Sequence, residues 1–81
     1  MTTPKNAAAY PHYYRPVPKA THVDVYRVCD MFGVRRSAVA HAVKKLLCSG
    51  IRGAKDELID LREARDSIDR AIEMLDEERE P

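Results

Sequence analysis

From Asp56 to Glu77 the chain carries neither glycine nor proline, and Leu58, Leu61, Arg65, Ile68, Ile72 and Leu75 recur at alternating spacings of three and four. That period lines them up along one side of a helix as a heptad-like seam. A helix over about 54–77 is roughly 35 Å long, while the preceding periodic segment, about 36–49, makes a helix of roughly 20 Å. The shorter helix is expected to cover only part of the seam. The remainder falls to a first helix, to the N-terminal segment or to another copy of the chain. Ile59 lies off the seam and is a further candidate contact with a neighbour.

Two glycines punctuate what comes before. Thr21, with Asp24 three residues on, reads as the start of a first helix over about 22–32. Val25, Val28, Cys29 and Phe32 form its apolar face, and Gly33 ends it in the left-handed conformation. In the second helix Val39, Ala42, Val43, Leu46 and Leu47 fall on one side, with Ser37, His41, Lys44, Lys45 and Cys48 on the other; Gly50 stops it. The expected fold is all-α: an extended arm over 1–20, then one helical domain over 21–81. That domain holds a short helix and an antiparallel hairpin whose long C-terminal helix makes it oligomeric.

Length explains why oligomerisation matters. Chains of 81 residues hold one domain and bury only about 60% of their surface on folding, so partner subunits often add the rest. Cys29 and Cys48 have no ligand-spaced partner and read as reduced thiols of a cytosolic protein. The opening MTTPKNAAAYPHYY has no apolar core of a signal peptide. No apolar run is long enough for a bilayer, so no membrane partner is expected.

The net charge of +1 conceals a polarity along the chain. Through Lys55 ten Lys/Arg face two acids, a balance of +8; from Asp56 onward four Arg face eleven acids, a balance of −7. The basic part culminates in HAVKKLLCSGIRGAKD, where His41, Lys44, Lys45, Arg52 and Lys55 surround a connector containing Gly50 and Gly53. Free N–H groups at a helix start favour an anion, and glycines let a phosphate approach the backbone. The sequence lacks the GxxxxGK[ST] phosphate loop. In the arm, four of the five prolines accompany Tyr10, His12, Tyr13, Tyr14 and Arg15. Tyrosines beside cations stack on bases while the cations meet phosphates. The candidate ligand-binding set is therefore Arg52, Gly53, Lys55, Lys44, Lys45, His41, Tyr13, Tyr14, Arg15 and His12.

Two other functional classes have a basis in the sequence. Residues 25–39 resemble a helix-turn-helix in which Arg35, Arg36 and Ser37 would meet duplex DNA. The near-neutral pI of 7.8 and the acidic last helix count against a groove reader. Asp56, Asp60 and Glu63 share one side of the last helix and could hold a metal, but partnering Lys and Arg is the expected role. No acid, base and nucleophile set accompanies His12, His22 or His41, so the chain reads as a binding protein without catalytic residues, metal or cofactor.

The chain also resembles a family of short bacteriophage and prophage proteins of unknown function, some described as nucleotide-kinase-like. The likeness runs over 12–72 and rests on His12-Tyr13, Asp24-Val25-Tyr26, Phe32-Gly33, His41-Ala42 and Lys44-Lys45-Leu46-Leu47. It continues through Gly50, Arg52-Gly53, Lys55-Asp56, Asp60 and Glu63-Ala64. The resemblance implies a phage origin and action in the cytoplasm of an infected bacterium. By analogy of size and helicity with phage proteins that sequester host nucleotide signals, the expected function is capture of a phosphorylated small ligand such as a cyclic nucleotide immune signal. The alternatives are a helix-turn-helix DNA binder and a structural or protein-interaction subunit.

Overall fold

The computed structural model describes residues 8–17, 19–51 and 56–79. It is all-helical among these: a single 3₁₀ turn at Pro11–Tyr13, then α1 (Val25–Phe32), α2 (Ser37–Leu47) and α3 (Glu57–Arg79). No helix is long and apolar enough to cross a membrane among the described residues.

Local chemistry sets the ends. The start of α1 lies later than the Thr21 expectation. Asp24 is the cap, its carboxylate accepting the Arg27 N–H at 2.9 Å, while the Thr21 hydroxyl sits 2.8 Å from His22 Nδ1. Extended backbone at Asp24 (φ −105°, ψ 176°) lets its short side chain reach back to the first turn. At the other end Gly33 has φ 70°. The Gly33 and Val34 N–H groups donate to the Asp30 and Cys29 carbonyls at 3.1 and 2.8 Å, closing a Schellman motif. Gly50 follows α2 with φ 76°. Asp56 caps α3 by accepting the Ile59 N–H at 2.8 Å.

α2 packs along α3, and their partners run in opposite order along the two helices. Arg36 meets Glu78, Lys45 meets Glu63, and the Gly50 N–H donates to Asp60 at 2.9 Å. These contacts reach nearly from one end of α3 to the other, so length is not what leaves its seam uncovered. A different face of α3 is used. The residues turned to α2 are Asp60, Ala64 and Ala71, all buried, whereas Leu58, Leu61, Ile68 and Ile72 of the expected seam are exposed. Small side chains let the two helices approach closely, and Ala42 of α2 is likewise buried. Leu46 and Leu47, expected inside, are exposed.

Two charged groups lie inside this interface. Asp60 is 0% and Lys45 5% exposed. Burying a charge is costly unless it is paired or hydrogen-bonded. The Gly50 N–H answers Asp60, and the Glu63 carboxylate 2.5 Å from Nζ answers Lys45. Partnership with Lys45 is thus the role of Glu63. The expectation that Lys45 shares the open basic side of α2 with Lys44 is corrected. Adjacent residues on a helix point about 100° apart, so only one of the two can face α3.

Candidate functional site

α1 meets the side of α2 that carries Ser37, Ala40, His41, Lys44 and Cys48. Their spacings of three and four keep all five on one strip. α1 and the turn after it supply the opposite wall with Asp24, Val25, Tyr26, Cys29, Asp30 and Val34, and a cleft of about 740 Å³ lies between. That volume is within the range typical of small-molecule sites, roughly 300–1,000 Å³.

The cleft combines four kinds of surface. Val25, Val34 and Ala40 make it partly apolar; Tyr26, 78% exposed, brings an aromatic side chain; His41 and Lys44 bring nitrogen donors; Asp24 and Asp30 bring carboxylates. The Asp24 carboxylate is partly used by the α1 cap. Lys44 has no ion-pair partner among the described residues, in contrast to Lys45. One wall can therefore meet an anion, the other can accept hydrogen bonds, and the exposed Tyr26 lines the same cleft.

The sequence-derived set divides. His41 and Lys44 come together here, and Lys45 is withdrawn into the α2–α3 interface. Arg52, Gly53 and Lys55 lie outside the described residues. The arm residues form a separate cluster, and none of them lines the cleft. Arg15 is occupied structurally. Its Nη1 donates to the carbonyls of Pro11, His12 and Tyr14 at 3.3, 3.1 and 2.7 Å, and its guanidinium lies 4.9 Å from the centre of the Phe32 ring. A cation over an aromatic face is attractive, so Arg15 fastens the arm to the end of α1. His12 and Tyr13 rings are 4.2 Å apart and tilted. Tyr13 is 68% exposed and Tyr14 half-buried.

Arg36, expected to open a DNA-reading helix, makes a two-pronged bond to Glu78, with both N···O distances 3.0 Å. Hydrogen bonding to Glu78 and its negative charge raise the Arg36 pKa. Hydrogen bonding to Arg36 holds the Glu78 carboxyl below its usual range. Tyr26, Asp24 and Asp30 were not singled out from the sequence as site residues. Tyr26 carried a usable signal, since it lies off the Val25, Val28, Cys29 and Phe32 face and is an aromatic with no core to enter.

Comparison with protein-family models, with curated proteins and with solved structures returns no match.

Proposed function

We propose that the chain is a small helical binding protein that captures a phosphorylated ligand of nucleotide type and acts as a homo-oligomer. The observation that carries this reading is the α1–α2 cleft, where His41 and Lys44, which makes no ion pair among the described residues, line one space with the exposed Tyr26 and the carboxylates of Asp24 and Asp30. A nucleotide offers complementary chemistry. Its phosphate would meet Lys44 and His41, its base would lie on Tyr26, and its sugar hydroxyls would donate to Asp30. Arg52, Gly53 and Lys55 follow α2 in the sequence, and we assign them by sequence to the phosphate end of the ligand. With α2 and α3 read as an antiparallel hairpin, the wall bearing Lys44 is held rigidly and α1 is the adaptable side. Joined to the phage resemblance, the role is sequestration of a nucleotide signal in an infected bacterium rather than turnover.

The DNA reading loses one of its two arginines, since Arg36 is engaged by Glu78. Acidic α3 also lies along the helix that would enter the groove, where it would repel phosphates. The test is calorimetry of the full chain against linear and cyclic nucleotides. A charge-assisted bond to phosphate is worth about 1.5–3 kcal/mol, so Lys44→Ala should weaken binding roughly ten- to a hundredfold. Loss of a stacking ring costs about 1–3 kcal/mol per base, so Tyr26→Ala should weaken it comparably. A parent that binds no nucleotide more tightly than about 100 µM, equivalent to roughly −5.5 kcal/mol, overturns the reading. A tight sequence-specific complex with duplex DNA overturns it in favour of the groove reader.

A further inference from the structure

The side of the α2/α3 pair that faces away from the cleft is apolar and open. Leu46 and Leu47 on α2, and Leu61, Ile68 and Ile72 on α3, are between 42% and 56% exposed. This strip lies about 80° round from the line of α2–α3 contact on α3 and about 120° on α2, in the same rotational sense, at about 100° per residue. The two helices run in opposite directions, so rotations of the same sense bring both strips to one side. The cleft residues His41, Lys44 and Cys48 lie about as far round α2 the other way. Every helix of the pair thus has one packed line and, near a right angle to it, one unpacked apolar line. That is the geometry of a four-helix bundle, in which each helix touches two neighbours. One copy supplies two of the four helices.

Charge indicates what the missing pair is. Arg62 and Arg65 border the α3 strip in its first half, and Asp69 and Asp76 border it in its second half. All four are exposed, and none has an ion-pair partner among the described residues. A second α3 laid antiparallel on the first, with Arg65 and Ile68 in one layer, sets Arg62 of each copy against Asp69 of the other. A parallel neighbour in register would set like charges together.

We infer that this face is the contact between two copies of the chain, joined about a two-fold axis so that two α2/α3 pairs close one four-helix core. The inference deepens the homo-oligomer part of the proposed function and rests on it. The clefts then open outward on the two opposite sides of the bundle.

Sedimentation velocity on the full chain, from low to high micromolar concentration, tests it, with circular dichroism to follow helix content. The parent should sediment as a dimer or a multiple of one, and Ile68→Asp should yield a helical monomer. Arg62→Asp and Asp69→Arg should each weaken association by at least about tenfold, because each places like charges across the contact. The two combined should restore association to within about threefold of the parent. A helical monomeric parent overturns both this inference and the homo-oligomer reading. A parent that associates while Ile68→Asp associates equally well overturns this face and leaves the homo-oligomer standing. If Ile68→Asp loses its helices, the exposed charge pair decides: a double variant weaker than either single overturns the antiparallel arrangement.

Discussion

α2 has two neighbours and treats them differently. Towards α3 it offers Ala42 and Lys45, and α3 answers with Asp60, Ala64 and Ala71; every one of these is buried. Towards α1 it offers Ser37, His41 and Lys44, and a cleft remains. Small side chains and answered charges fix the first contact in one register. The second contact has one buried apolar residue on the α1 side, Cys29, and leaves its polar groups to solvent. Rigidity and open chemistry are thus separated onto two sides of one helix. That is how a short chain holds one wall of a cleft in place without burying the wall itself.

The contrast is most directly broken at Asp60. Its carboxylate fixes the Gly50 N–H from a fully buried position, and bonds involving a charged group contribute about 1.5–3 kcal/mol. Asp60→Ala should lower unfolding free energy by about 3 kcal/mol in urea denaturation, a large part of the stability of a small domain. A loss below about 1 kcal/mol would mean the α2–α3 junction is not held as described. The two left-handed glycines sharpen the comparison at a smaller scale. Any side chain at these φ values costs roughly 1–2 kcal/mol. At Gly50 an added Cβ also meets Glu57 Cβ at 3.2 Å, while at Gly33 it meets nothing within 4 Å. Gly50→Ala should therefore cost about 2 kcal/mol and Gly33→Ala about 1 kcal/mol in melts of the two variants. Equal costs would remove the distinction between a tight and a loose neighbour.

The smallest effect concerns pH. The folded Glu78 carboxyl titrates below its ordinary value because Arg36 hydrogen-bonds it. Its contribution to stability is present above the unfolded carboxylate pKa and is lost as pH falls through the depressed folded value. The stability of the parent should therefore decline more steeply on the acid side than that of Arg36→Ala, as followed by thermal melts through the acid range. Parallel acid limbs would show that the bond does not form in solution.

Much of the fold was legible because helix ends are local chemistry. Gly33 and Gly50 sit where the periodic runs break, and Asp56 sits at the start of the third run. The helix faces were harder. Periodicity shows where Leu61, Ile68 and Ile72 lie, but not what covers them. The stronger apolar signal therefore concealed the alanine face of Ala64 and Ala71 that packs within the chain. Long-range pairs such as Arg36–Glu78 leave no mark at either end of the sequence separation they span. At the site, His41 and Lys44 were recoverable from a basic strip at helical spacing. The split between Lys44 and Lys45 was not, since it depends on which way α2 is turned against α3.

Cys29 and Cys48 are both free, and both line the cleft, one buried and one half-buried. The cleft is therefore already labelled by nature at two depths. Alkylation rates read residue by residue would register an occupant through the shielding of Cys48 and a parting of α1 from α2 through the unveiling of Cys29. Filling and opening, which a binding isotherm merges into one number, become separately visible in the unmodified chain.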